Sequence, residues 1–219
     1  MPRIPRIVVP GEPHHVIQRG NRRLPTFFCE DDYCFYLEWL HTCCEKYAVK
    51  IWAYCLMTNH VHLILVPAKE SGLRLALGEA HKRYTAYINK RERWTGHLWQ
   101  GRFSSYPMDE AYLLAAARYV ELNPVRADIV KCPCEYKWSS ARAHVKGEDD
   151  QFVDVAPLLS LVPDWESFLT GADSAEMQEH IKKHSRTGRP LGSNAFFDRL
   201  QQVLGKDVRP QKPGPKMNN

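Results

Sequence analysis

The chain has 219 residues, enough for one large domain or one domain with an appendage. Its composition, 44% hydrophobic and 25% charged with a formal net charge of +5, is that of a soluble globular protein. No apolar run approaches the length of a bilayer span, and the start Met1-Pro2-Arg3-Ile4-Pro5-Arg6 lacks a signal-peptide core, so the expected location is the cytoplasm.

In chain order, His14 to Arg19 reads as a first strand, ended by Gly20-Asn21. Asp31 to Tyr47 is expected as an amphipathic helix, with Tyr33, Tyr36, Leu37, Leu40, Cys44 and Tyr47 on one face and acidic residues favouring its N-terminus. Val49 to Met57 alternates as a second strand. Thr58-Asn59 is a tight turn into a third, where Val61 to Val66 are hydrophobic or His. Leu73 to Arg91 forms a second helix with Leu73, Leu77, Ala80, Tyr84 and Ile88 inward, and Trp99 to Tyr106 reads as a fourth strand. The order β-α-β-β-α-β predicts an α+β fold: a ferredoxin-like antiparallel sheet with helices on one face.

A third helix runs from about Asp109 to Asn123, stopped by Pro124. Val125 to Val145 reads as short helices packed through Ile129, Tyr136 and Trp138, and a further helix is expected around Pro157 to Leu169. A short helix from Asn194 to Leu204 precedes a Pro/Lys tail, expected to be disordered when alone. The expected division is a main domain over 1–146, an acidic helical extension over 147–183 and a basic C-terminal tail over 184–219.

Charge is segregated. From Gly147 to His180 there are nine acidic residues and no Lys or Arg, so the rest of the chain is far more basic than the total suggests. Clusters at Arg19, Arg22 and Arg23, at Lys82 to Arg102, and from Lys182 to Lys212 and Lys216 point to a polyanion, nucleic acid before membrane. The seven cysteines lack a paired Cys-x-x-Cys spacing and are expected as reduced, buried thiols; Cys132 and Cys134 with His144 make only a weak metal pattern.

His60 and His62 lie two apart on a strand and so project to the same side, where two imidazoles can bind one divalent metal. Tyr119 and Asn123 lie four apart on the third helix and share a side of it. If that helix packs beside the histidine strand, two imidazoles and an amide oxygen hold a metal next to a phenol. Mg²⁺ or Mn²⁺ suits a phosphate substrate, with imidazole tilting the site towards Mn²⁺. Spacing alone does not single out Tyr119, because Tyr112, Tyr84 and Tyr87 are also helical tyrosines.

Five short motifs in one order add to this: Val16 to Arg22 (VIQRGNR), Met57 to His62 (MTNHVH), Leu98 to Phe103 (LWQGRF), Arg118 to Ala127 (RYVELNPVRA) and Trp138-Ser139-Ser140. Together they resemble the REP-associated tyrosine transposases, a bacterial branch of the HUH single-strand transposase superfamily, over roughly Pro5 to Ala143. The resemblance implies that His60 and His62 are metal ligands, with Asn123 a third. Tyr119 would be the nucleophile that cleaves single-stranded DNA, keeping the 5′ phosphate and freeing a 3′ hydroxyl. The implied substrates are REP-like hairpins, and the implied location is cytoplasmic and nucleoid-associated.

Expected DNA-binding residues are Arg19, Asn21, Arg22 and Arg23 at the end of the first strand, and Trp99, Gln100 and Arg102, which combine a stacking surface with donors. Trp99 reads equally well as a core aromatic. Arg189, in Gly188-Arg189-Pro190, resembles a minor-groove inserting arm, with a plain flexible linker as the competing reading. The competing function is a DNA-binding protein that has lost catalysis and recognises repeat hairpins. The DNA target, the oligomeric state and the role of the acidic stretch are not legible.

Overall fold

The computed structural model describes residues 6–171 and 174–209, with the backbone alone at Arg186. The expected basic residues Lys212 and Lys216, and the Pro/Lys tail beyond Arg209, lie outside the described residues.

The first two thirds of the chain run β1 (His14–Arg19), α1 (Glu30–Lys46), β2 (Val49–Met57), β3 (His60–Pro67), α2 (Gly72–Glu92), β4 (Ser104–Pro107). The four strands form one antiparallel sheet in the order β2-β3-β1-β4, the arrangement of a split βαββαβ unit. After them come α3 (Glu110–Glu121), α4 (Asn123–Arg126), α5 (Ala141–Lys146), α6 (Ala156–Leu159), α7 (Trp165–Thr170), α8 (Ala175–Thr187) and α9 (Asn194–Leu204).

Strand alternation splits the sheet into two cores. Val16, Val61, Leu63 and Leu65 face α1 and α2, packing on Leu37, Leu40, Leu73, Leu77, Tyr84 and Ile88. Ile64, Ala53, Cys55 and Met57 face the other way, onto Leu113, Ala116, Ala117 and Val120 of α3. A register shift between Ile51 and Ala53 in β2 marks a bulge, which keeps Tyr54 and Leu56 in the first core and Ala53, Cys55 and Met57 in the second. The two helices of the split unit therefore share one face, joined there by Val153 and Val155, and α3 and most of the C-terminal segments cover the opposite one.

The segment beyond Lys146 is part of this packing. Leu158, Trp165, Leu169, Ile181 and Leu191 join the second core, while Ile7 and Val9 pack against Phe196, Leu200 and Val208. Its acidic residues satisfy backbone donors: Asp149 accepts from the Val155 N–H, Asp150 from Phe152 and Val153, and Asp164 caps α7 through Ser167. The outer side of β2 bonds to the 138–140 segment through Leu56 N–H to Trp138 O and Ser140 N–H to Tyr54 O, and to the segment beyond Lys146 through Asp154 N–H to Ile51 O. Beside β4, Leu191 N–H donates to Pro107 O and its carbonyl accepts from Asp109 N–H.

Several expectations are corrected. The fourth strand begins only at Ser104; Trp99 to Phe103 is a loop whose Gln100 N–H donates to Arg19 O, with Gly101 at φ +66°. Ile129 is 47% exposed and does not anchor the core, unlike Tyr136. Pro163 and the Asp164 cap divide the expected 157–169 helix into α6 and α7. Helix α8 was not anticipated. The cysteines are all free thiols, yet Cys29, Cys34 and Cys132 are exposed, and His144 bonds to Glu121 rather than to sulfur. Among the described residues no helix is long and apolar enough to cross a membrane.

Candidate active site

The site forms where β1, β3 and the end of α3 meet. In the β1–β3 register Arg19 lies opposite His60 and Ile17 opposite His62. The two histidine rings lie 4.9 Å apart at 79° on the face that also receives α3. Next to them the chain passes from β1 into a tight 20–24 loop. A Cβ on Gly20 would come within 2.3 Å of the Leu24 carbonyl, so only glycine fits. Arg22 and Arg23 follow with φ of +54° and +62°, a backbone region that costs a non-glycine residue about 1–2 kcal/mol.

Asn59 fastens this loop to the site. Its Nδ2 donates to Arg23 O at 2.9 Å, which leaves Oδ1 to accept from His60 Nδ1 at 2.6 Å. His60 therefore carries its proton on Nδ1 and presents Nε2 as a lone pair. His62 Nδ1 lies 3.0 Å from His15 Nε2 on β1. Burial, reinforced by Arg19, lowers the His60 pKa to about 4. Burial lowers that of His62 well below its ordinary value, with His60, His15, Arg19 and Arg126 adding to it. Both rings are neutral near pH 7, the form in which imidazole binds a metal.

Tyr119, half-buried in the last turn of α3, brings its ring within 5.6 Å of the His62 ring at 80°. Its backbone carbonyl accepts from Asn123 Nδ2 at 2.9 Å and from Arg126 Nη1 at 3.0 Å, and the Arg126 guanidinium lies 5.0 Å from the ring centre. Pro124, which lacks an N–H, breaks the helix after Leu122 and turns Asn123 and Arg126 back onto Tyr119. Burial raises the Tyr119 pKa, and the charges of Arg126 and Arg19 oppose that rise. Below the site the rotation of α3 is fixed by Glu121, which is fully buried and accepts from Ser140 Oγ (2.6 Å), His144 Nδ1 (2.7 Å) and Trp165 Nε1 (2.7 Å).

The donor set fits a divalent cation of low protein coordination. Neither Nε2 has a hydrogen-bond partner among the described residues, and Asn123 keeps Oδ1 free once Nδ2 is used. No group of three or more His, Cys, Asp or Glu that could hold a metal exists among those residues, so two imidazoles and one neutral oxygen would leave positions open for phosphate. No hydrogen bond or ring contact joins Asn123 directly to either histidine.

The remaining expected residues fall in different places. Asn21, Arg22 and Arg23 are exposed on the loop beside the site, and Gln100 and Arg102 are exposed on the neighbouring loop, whose Gln100 N–H donates to Arg19 O. Trp99 is 7% exposed and packs among Tyr36, His81 and Tyr84, so it is mainly a core aromatic. Arg189 is neither a free arm nor part of a flexible linker. The chain around it is pinned to β4 by Leu191, and its Nη1 donates to Arg209 O. The expectation passed over His15, Asn59, Tyr106 and Arg126. His15 shares a face of β1 with Ile17 and Arg19, but only the β1–β3 register brings it to His62.

Comparison with known proteins places this geometry in a class. The family model for IS200-like transposases matches residues 12–123, and the chain belongs to that family. A Haemophilus influenzae (strain ATCC 51907 / DSM 11121 / KW20 / Rd) protein named as a candidate REP-associated tyrosine transposase is 23% identical over 116 residues, 48% of this chain and 66% of the relative. The match thus spans just under two thirds of that relative's length. The solved structure of a REP-associated tyrosine transposase bound to a REP hairpin aligns with a TM-score of 0.58 at 19% identity, covering 71% of this chain and 93% of that one. It bears out the mixed fold with its four-stranded antiparallel sheet. A Deinococcus radiodurans R1 structure described as a candidate transposase covers 54% of this chain and 95% of its own at 19% identity, with a TM-score of 0.39, too low to bear on the fold.

Proposed function

We propose that the protein is a metal-dependent single-strand DNA endonuclease and transposase that nicks and rejoins DNA at REP-like hairpins. The observation that carries this reading is the Tyr119 ring set 5.6 Å from His62, beside two imidazoles whose Nε2 atoms are unengaged. His60 and His62 would hold Mg²⁺ or Mn²⁺ through Nε2, and Asn123 through Oδ1. The cation supplies Lewis-acid polarisation of the phosphoryl oxygens.

In the proposed reaction the Tyr119 hydroxyl oxygen attacks phosphorus. The new O–P bond forms as the P–O3′ bond breaks; the phenol proton passes to solvent and the departing 3′ oxygen takes one up. The 5′ phosphate stays on Tyr119, and attack by a 3′ hydroxyl reverses the step and rejoins the strand. An unperturbed phenol has a pKa of about 10 and is a weak nucleophile near neutrality. Arg19 and Arg126 favour its ionised form against the effect of burial and lie where a phosphate's charge would be met. The exposed Asn21, Arg22, Arg23, Gln100 and Arg102 would hold the strand beyond the cut. Near them a groove of about 640 Å³ runs between α2 and the 97–102 loop, lined by Lys82, Asn89, His97 and Arg102 among others.

The test is nicking of a labelled REP-like hairpin with Mn²⁺, read on a denaturing gel. Wild type should give a covalent protein–DNA adduct and Tyr119→Phe none, with hairpin binding retained. Binding by wild type without any adduct would instead indicate a DNA-binding protein that has lost catalysis, and undiminished adduct in the variant would move the role to another tyrosine.

A further inference from the structure

The buried side of His62 leads into a chain of hydrogen bonds that ends outside the family-matched region. His62 Nδ1 lies 3.0 Å from His15 Nε2, His15 Nδ1 lies 2.8 Å from the Tyr106 hydroxyl of β4, and that hydroxyl lies 3.3 Å from the Ile181 carbonyl of α8. His15 and Tyr106 are fully buried and His62 is 3% exposed, so water does not supply alternatives. The His15 and His62 rings stack at 5.2 Å and 25°.

The bond to α8 sets the direction of this chain: the Tyr106 hydroxyl also interacts with Ser185, and where its single proton goes to Ile181 O, which as a carbonyl only accepts, none is left for His15. Ser185 Oγ donates to the same carbonyl at 2.6 Å, within the capacity of its two lone pairs. Tyr106 must then accept from His15 Nδ1–H. A neutral imidazole has one N–H, so His15 Nε2 is an acceptor and receives the proton of His62 Nδ1. The lone pair of His62 is left on Nε2. Helix α8 is itself tied to β4 through Ser104 Oγ, which donates to Ser185 O at 2.5 Å.

We propose that His15 and Tyr106, anchored on α8, are positioning residues that hold His62 in the Nδ1–H tautomer with Nε2 poised for a metal. The proposal rests on the metal-site reading above only for its last step; the tautomer is a property of the protein without metal. It gives the C-terminal helix a part in the centre: α8 supplies the acceptor that sets the relay.

The deciding experiment is long-range ¹H–¹⁵N correlation spectroscopy on full-length, metal-free protein labelled at histidine, with His62 assigned through a His62→Gln control. Wild type should show His62 with a protonated Nδ1 and an unprotonated Nε2. Tyr106→Phe removes one hydroxyl while keeping the ring, frees the relay's direction and should bring in the Nε2–H form. Calorimetric titration with Mn²⁺ then compares His15→Leu, which deletes the acceptor, with His15→Gln, whose amide oxygen can still take the Nδ1 proton. The expected loss is about 10–100-fold in affinity for His15→Leu and much less for His15→Gln. An Nε2–H tautomer in wild type overturns the relay, as does a folded His15→Leu that binds Mn²⁺ like wild type. If wild type neither binds Mn²⁺ nor nicks DNA, the functional reading fails, and the His62 tautomer in wild type and Tyr106→Phe still decides the relay. Should His15→Leu not fold, the near-isosteric Tyr106→Phe carries the decision.

Discussion

Replacing Trp165 by Phe removes one N–H from the buried cluster around Glu121. That N–H lies 2.7 Å from Glu121 Oε2, which has no other hydrogen-bond donor among the described residues. A hydrogen bond to a charged group contributes about 1.5–3 kcal/mol, and an acceptor left unpaired in the core forfeits it fully. Trp165 is 2% exposed, so the smaller ring also leaves a cavity beside His144 and Phe168, whose rings lie 4.7 and 4.8 Å away. Together these predict a loss of about 3 kcal/mol, a large fraction of the ~5–15 kcal/mol typical of a folded domain. Urea unfolding followed by far-ultraviolet circular dichroism measures it, with the midpoint moving and the slope unchanged. Because Glu121 also holds Ser140 and His144, the double variant Trp165→Phe/Glu121→Gln should lose less than the sum of the singles. A loss below about 0.5 kcal/mol, the range of an ordinary surface change, would refute the view that α7 braces the helix carrying Tyr119.

Three further outcomes are expected. His60→Ala and His62→Ala should each cut nicking by orders of magnitude, EDTA should mimic both, and added Mn²⁺ should rescue wild type alone; Asn123→Ala should be milder, and full activity in EDTA would remove the metal from the reaction. His14 is fully buried, accepts from Val9 N–H on Nε2 and has its pKa lowered to about 4 by burial, partly offset by the Glu12 carbonyl. Unfolded His14 takes up its proton near pH 6.5 and the native residue only near 4, so its contribution is whole above that window and lost as pH falls through it. Between about pH 7 and pH 5 the wild type should lose about 2 kcal/mol more than His14→Gln, and parallel urea-stability curves for the two would contradict this. Ending the chain at Arg209 removes Lys212 and Lys216 while sparing α9; if both meet phosphate, the slope of log affinity against log salt should flatten by about 2, and an unchanged slope would mean that they do not.

Much of the fold was legible in local pattern. The bounds of β1, β2 and α9 fall where turn residues and alternation put them, and α1 and α2 begin and end within one residue of their apolar stripes. The errors have a common source, the override of local pattern by long-range pairing. Trp99 to Phe103 has the composition of a strand, but its aromatic residues fill the core under α2 and its backbone bonds to the end of β1. Helix α8 carries few apolar residues and many charges, so its amphipathic stripe is thin; what makes it a helix here is Ile181 in the second core and the Ser174 cap. For the site, the two-residue period revealed His60 and His62, because a strand's alternation is local. His15 and Tyr106 escaped, since their place beside His62 depends on the β1–β3 and β1–β4 registers.

The hydrogen bonds along the two outer strands bear on how the protein meets copies of itself. A sheet edge with idle N–H and C=O groups is a template for strand addition. Here Trp138, Ser140 and Asp154 occupy the backbone of β2, and Leu191 closes the short flank of β4 between two prolines, Pro107 and Pro190. A second chain could extend the sheet only after these segments peeled away. On the β4 side, that would strip Leu191 from the core it shares with α3. Self-association through the sheet is thus coupled to local unfolding, and the 138–140 segment together with the stretches around Asp154 and Leu191 acts as a guard against aggregation.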